Sequence, residues 1–248
     1  MSTGPTYSKK HVNRCARYVR DFVPSAPDDP DWQELFEAID AIDWWRAQHA
    51  KPLGRVNAGL RYYVKRSGAV AQDVTQRLKR FDTIIDKLYR HPNMALTTME
   101  DIGGVRVILD NQRQVDYIAS QLQAQPKWKI RRVREYLEGR NPGPKEDGYR
   151  AVHVVVVRDD RYVEIQLRTG WQDTWAQSVE EDTRRLRAGL KFGAGPADLR
   201  EYYATTSEFF AMRERQETPE QEFLEGLGKL FRATRRYFPD DAEEEQSR

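Results

Sequence analysis

The chain has 248 residues, with 41 Lys and Arg against 39 Asp and Glu for a formal charge of +2, and a single cysteine. That length can bury a real core as one large or two small domains, and 39% hydrophobic and 32% charged residues with a mean hydropathy of −0.84 describe a heavily charged surface. No apolar run approaches the roughly 20 residues of a membrane span, and Met1 to Tyr7 lack the apolar core of a secretion signal, so the expected location is the cytoplasm, with no membrane partner. Cys15 has no disulfide partner, and the four histidines complete no zinc spacing.

In chain order, Asp29-Pro30 can cap a first helix running through Trp32, Leu35, Phe36, Ile39, Ile42 and Trp45. Pro52 is expected to break this block, with a second helix over 57–66 and with Trp44-Trp45 and Tyr62-Tyr63 in the core. An extended segment at 74–79 precedes a helix over 82–90 that stops at Pro92. The middle of the chain then reads as strands at 105–109, 127–134, 151–157 and 162–168, with a helix over 114–123. Arg158 to Arg161 joins the last two strands as a hairpin. Helices are expected again over 171–190, 197–215 and 219–238, with a turn at Gly193-Ala194-Gly195-Pro196 and a disordered acidic tail. The predicted fold is α+β, organised as an N-terminal helical segment (1–70), a core (71–192), C-terminal helices (193–239) and the tail (240–248).

The most informative run is Val163-Glu164-Ile165-Gln166-Leu167-Arg168-Thr169. Alternation sends Val163, Ile165 and Leu167 to one face of a strand and Tyr162, Glu164, Gln166 and Arg168 to the other. Burying such a polar face costs several kcal/mol per unpaired charge, which marks it as a candidate site or as a half-solvated surface. Arg77, Lys79, Lys87 and Arg90 lie close enough in sequence to converge on a polyphosphate, or to form an ordinary basic patch. Asp101-Ile102-Gly103-Gly104 sets a carboxylate before a strand, with glycines that allow a ligand or another backbone to approach; if that strand adjoins the one bearing Glu164, the two carboxylates can share Mg²⁺. Gly148-Tyr149-Arg150-Ala151-Val152-His153 sets an aromatic, either a stacking platform or a packed tyrosine, and two potential phosphate donors at a strand entrance. Lys127, Lys129 and Arg131 alternate onto one face if their segment is extended, enough to meet several backbone phosphates. P-loop, H-E-x-x-H and serine-elbow motifs are absent.

The ordered set R-x-K, K-x-x-R, D-I-G-G-V-R-V-I, G-Y-R-A-V-H and V-E-I-Q-L-R-T, over about residues 77–175, resembles the synthetase domain of the RelA/SpoT family, pyrophosphokinases that make (p)ppGpp. The resemblance implies a mixed β-sheet flanked by helices, nucleotidyltransferase-like, and Mg²⁺-dependent transfer of the β,γ-diphosphate of ATP to a 3'-hydroxyl. It implies that Arg77 and Arg106 hold adenine, that Lys79, Thr83, Lys87 and Arg90 meet the phosphates of ATP, and that Asp101 and Glu164 are catalytic and metal-binding. Tyr149, His153 and Gln166 then line the acceptor site. The chain resembles the small synthetases without the hydrolase half, a class with two kinds of acceptor. Some members use GDP or GTP; others are growth-inhibiting toxins, neutralised by an antitoxin, that modify the 3'-CCA end of tRNA or make adenosine alarmones. The guanosine acceptor is the preferred expectation, with Lys127, Lys129 and Arg131 as the surface for tRNA in the other case. A catalytically inactive nucleotide- or RNA-binding regulator is the reading from a different class, and an oligomer is compatible with the C-terminal helices.

Overall fold

The computed structural model describes residues 6–22, 31–186 and 195–238. The predicted cap at Asp29-Pro30, the Gly193-Ala194 part of the turn and the acidic tail lie outside the described residues. Strands β1 (Ala71–Leu78), β2 (Gly103–Leu109), β3 (Ile130–Tyr136), β4 (Ala151–Arg158) and β5 (Arg161–Thr169) form one five-stranded sheet in the order β1-β2-β5-β4-β3. Only the β2–β5 pairing is parallel. Around the sheet lie α1 (Lys9–Asp21), α2 (Asp31–Ala47), α3 (Ala50–Ser67), α4 (Phe81–Arg90), α5 (Gln112–Ala124), α6 (Gly170–Arg185), α7 (Ala197–Glu214) and α8 (Gln221–Thr234).

Hydrophobic alternation decides which way the sheet faces. Val105, Val107 and Leu109 of β2, Val163, Ile165 and Leu167 of β5 and Val152, Val154 and Val156 of β4 bury one face with Leu53, Val56 and Leu60 of α3 and Val115, Ile118 and Leu122 of α5. Each such side chain contributes about 1.5–3 kcal/mol when fully buried. Gly104, Arg106, Glu164, Gln166, Arg168 and His153 therefore fall on the opposite face, where charge can be offered to a ligand. The β4–β5 hairpin turns through Asp159 and Asp160, at φ 49° and 56°, a left-handed pair that matches strand twist and that Asp tolerates.

Two smaller cores flank the sheet. Val12 and Ala16 of α1, Ala41 and Ile42 of α2, Ile84 and Leu88 of α4 and Leu96, Met99 and Ile102 form one; buried Cys15 belongs to it. The other joins Trp175 and Val179 of α6 to Leu199 and Tyr203 of α7. No described helix is long and apolar enough to cross a membrane.

The structure departs from the sequence-based expectations in several places, first by setting helix α1 (Lys9–Asp21) ahead of the helix expected to be the first. Helix α3 starts at Ala50, ahead of the expected 57, and the chain turns at Gln48 and His49. Pro52 sits in its first turn, where a missing N–H costs nothing. The expected strand at 127–134 begins only at Ile130: Pro126–Trp128 is a 3-10 turn, and Lys129 is left-handed at φ 41°. The expected aromatic core splits, since Trp45 is 2% exposed but Tyr62 is 60% exposed.

The substitution Ile165→Ala, in a strand paired on both edges, is expected to cost about 2–5 kcal/mol, read as a lower urea midpoint. A loss below about 1 kcal/mol, the scale of a surface substitution, would show that β5 is not the central packing element.

Candidate active site

Parallel pairing of β2 with β5 sets Gly104 opposite Glu164 and Arg106 opposite Gln166. The condition for Asp101 and Glu164 to belong to one site is thus met, because Asp101 lies two residues before the start of β2. Lys79, just past the end of β1, places Nζ 3.0 Å from Asp101 Oδ2, and Lys87 of α4 places its own 2.8 Å from Oδ1. The Lys79 backbone is anchored twice: its N–H donates to Ile102 O at 2.8 Å, and its carbonyl accepts from Arg46 Nε of α2 at 2.7 Å. Burial alone would raise the Asp101 carboxyl, but the two lysines outweigh it and hold it below the usual carboxylate value.

Glu164 sits in a second network. His153 Nδ1 donates to its Oε1 at 2.9 Å, and Gln166 Nε2 to its Oε2 at 2.8 Å. With Nδ1 committed, His153 Nε2 faces the Tyr149 hydroxyl at 2.6 Å, and that hydroxyl accepts from Arg168 at 2.9 Å. Arg168 also reaches Gln166 Oε1 at 3.1 Å, which closes the ring. Glu164 is only 8% exposed. Burial acts to raise its carboxyl, yet the donors on His153 and Gln166, with Lys87 nearby, hold it well below the usual range. The Tyr149 hydroxyl moves the other way, pushed up by burial against the pull of Arg168. Its ring meets Tyr136 and Trp175 edge-on, with the Lys145 ammonium 4.8 Å from its centroid.

Beside these networks a cavity of about 250 Å³ is lined by Arg77, Gly104, Arg106 and Gln166, among others. A Cβ added to Gly104 would meet the Arg77 and Glu164 carbonyl oxygens at 4.0 Å, an ordinary contact distance. Arg106 and Arg168 share Asp173 Oδ1, at 3.2 and 2.9 Å. Burial, followed by the charge of Arg168, lowers the Arg106 guanidinium. Two guanidiniums on one carboxylate leave the wall electropositive, and Arg106 Nε is a buried donor with no acceptor among the described residues. Such an orphan is costly unless a ligand satisfies it.

Not every sequence candidate joins the cluster. Arg90 bonds Asp86 on the exposed side of α4, and Thr83 Oγ1 donates to the Arg80 carbonyl at 2.8 Å. The single basic face of Lys127, Lys129 and Arg131 does not form. Lys127 lies over the Tyr63 ring from the 3-10 turn, and Arg131 bonds Glu100 Oε1 at 3.0 Å and covers Tyr162. Arg150 turns away from any phosphate position to α7, where it pairs with Glu214. The sequence puts Arg168 on the candidate face without giving it a role, and it does not mark Asp173, whose place depends on how α6 returns to the sheet.

Mg²⁺ is commonly held by one or two carboxylates completed by substrate phosphates and water. Asp101 and Glu164 are both ionised and on adjoining elements, and among the described residues no three His, Cys, Asp or Glu side chains are grouped to hold a metal. This donor set fits an ion shared with a phosphate ligand rather than an all-protein cage.

A family model described as a region found in RelA / SpoT proteins matches residues 76–184. An uncharacterized protein of Mycobacterium tuberculosis is 31% identical over 206 residues, 80% of this chain and 67% of its own. The GTP pyrophosphokinase YjbM of Bacillus subtilis is 31% identical over 113 residues, 42% of this chain and 52% of its own. Among solved structures, small alarmone synthetase 1 of Bacillus subtilis bound to its product pppGpp aligns with a TM-score of 0.59 at 20% identity, covering 76% of this chain and 95% of that one. A GTP pyrophosphokinase family protein of Streptococcus pneumoniae aligns at 0.55 and 21%, covering 76% and 91%. These structural likenesses establish the fold: a mixed sheet with flanking helices.

The lowered Asp101 carboxyl fixes a pH dependence. A carboxyl depressed by folding adds stability above its unfolded value and loses it as the pH falls through the folded one. Asp101→Asn is therefore expected to be less stable than the parent at pH 7, with the gap closing as the pH drops below about 4. Urea midpoints of both proteins across pH 3–7 check this; a gap independent of pH would mean that the charge of Asp101 is not what Lys79 and Lys87 hold.

Proposed function

The chain belongs to the RelA/SpoT family of pyrophosphokinases, and we propose that it moves the β,γ-diphosphate of ATP to the 3'-hydroxyl of a guanosine nucleotide. The observation that carries this reading is the pair of ionised carboxylates on adjoining elements, Asp101 between two lysines and Glu164 inside the Tyr149–His153 network. In this reading ATP takes the cavity at Arg77 and Arg106, its triphosphate runs past Lys79 and Lys87, and the acceptor base lies against Tyr149. The acceptor oxygen attacks the β-phosphorus, the bond from that phosphorus to the α,β-bridging oxygen breaks, and AMP leaves.

Phosphoryl-type transfer depends mainly on positioning and on neutralising charge. Glu164, held below the usual carboxylate range, receives the hydrogen bond of the 3'-hydroxyl and aims it, and the hydroxyl proton passes to solvent water as the P–O bond forms. His153 and Gln166 fix the orientation of that carboxylate. Lys79 and Lys87, occupied by Asp101 in the free protein, can be redirected to phosphate oxygens when the substrate brings its own negative charge. Asp101 and Glu164 are the residues that would hold Mg²⁺, which supplies further neutralisation of the β- and γ-phosphates. The row of Lys127, Lys129 and Arg131 gives no support to a tRNA acceptor, because those side chains do not share a face.

Purified protein with γ-labelled ATP, Mg²⁺ and GDP, GTP, ATP or bulk tRNA tests the proposal. Label is expected on GDP and GTP. Label on tRNA alone would move the acceptor to the 3'-CCA end, and nucleotide-induced thermal stabilisation without any product would make the protein a binding module. Asp101→Ala and Glu164→Ala are each expected to lower turnover by about a hundredfold or more, and an active variant removes that residue from the mechanism.

A further inference from the structure

Helix α7 begins at Ala197, beyond the stretch matched to the family, which ends at 184. It nevertheless grips the turn that presents Tyr149. Gly148 stands at φ 89°, and a Cβ there would come 2.9 Å from Ser207 Cβ and 3.1 Å from Ala204 Cα and the Tyr203 carbonyl, so the turn is pressed against the helix backbone. Ser207, 4% exposed, donates its hydroxyl to the Gly148 carbonyl. Arg150 then donates to the Ser207 carbonyl at 3.1 Å and pairs with Glu214 at the end of the same helix. The other Glu214 oxygen accepts from Thr169, the residue that ends β5 and caps α6.

One carboxylate on α7 therefore joins the entrance of β4 to the exit of β5, the strand ends beside Tyr149 and Arg168. Breaking a buried pair on one side costs more than the pair itself is worth, because the other charge is left without its partner. Among the described residues Lys79 and Lys87 have no such link to α7, since both bond Asp101, whereas Arg77 and Arg106 meet Glu180 and Asp173 of α6 and reach α7 only through the Thr169 cap.

We propose that Glu214 and Ser207 are positioning residues for the acceptor: through Arg150, Thr169 and Gly148 they hold Tyr149 in place, while Lys79 and Lys87, bonded to Asp101, stay outside this linkage. This deepens the pyrophosphokinase reading and rests on it for the identity of the acceptor. The full chain carrying Glu214→Ala is expected to raise KM for GDP about tenfold, the scale of one lost charged hydrogen bond, with KM for ATP within about twofold. Glu214→Gln, which can still accept from Thr169, is expected to recover part of that loss. Equal rises in both KM values, or none, would overturn the proposal.

A second readout does not need turnover. The N–H groups of Lys145, Gly148 and Tyr149 are all hydrogen-bonded inside the turn. Their amide exchange is expected to quicken in Glu214→Ala and in Ser207→Ala, while exchange over 81–90 in α4 stays as in the parent. Unchanged exchange in the turn sinks the clamp. A parent protein that makes no product from any nucleotide sinks the reaction instead, and the exchange result then still decides whether α7 holds the turn.

Discussion

The parallel pairing of β2 with β5 is the constraint on which the site rests. Its register sets Gly104 against Glu164 and Arg106 against Gln166, and a shift of one residue would send the entire set into the hydrophobic face. That shift is closed off because Val105, Val107, Val163, Ile165 and Leu167 are already committed to the core with α3 and α5. Apolar burial on one side of the sheet thereby fixes ionised groups on the other, without those groups needing to contribute to stability themselves. Imperfectly paired buried charge costs stability, and hydrophobic packing on the other face offsets that cost while it holds the backbone.

Imperfect pairing is what the polar face shows. Asp173 serves two guanidiniums, Arg106 Nε and Arg168 Nε have no acceptor among the described residues, and Lys79 and Lys87 share one carboxylate. A set of cations in excess of its carboxylates is poised for a polyanion. The same cations keep Asp101 ionised before substrate arrives, so the charge it would bring to a metal is present in the free protein.

Much of this was legible in the sequence because strand alternation has a period of two and needs no long-range knowledge. The alternation of β5, the hairpin at Asp159-Asp160 and the helix of Lys87 follow from local pattern, and so does the placing of Asp101 just ahead of a strand. What the pattern could not show depends on distant partners. A left-handed Lys129 turns an apparent basic strand into a 3-10 turn followed by β3, and Glu100, far from it in sequence, collects Arg131 and Arg134. By its neighbours in the chain Arg150 reads as a phosphate donor; the glutamate that claims it, Glu214, lies 64 residues further on. The start of α3 was misplaced for a smaller reason, since a proline inside a first turn and a proline that ends a helix look alike in sequence.

The two halves of the site hang on different scaffolding. The lysine arm is carried by the core of α1, α2 and α4, with Arg46 bonded to the Lys79 carbonyl, whereas the Tyr149 turn is pressed onto α7. The carboxylates between them belong to the sheet, whose register is over-determined by many buried side chains. A turn held by a glycine contact and a few hydrogen bonds is not over-determined in this way, so changes in α7 can move Tyr149 without disturbing Asp101. On the proposed reading, the acceptor side of the site is therefore the part most open to change by residues far from the reacting atoms, because a separate helix rather than the sheet holds the Tyr149 turn.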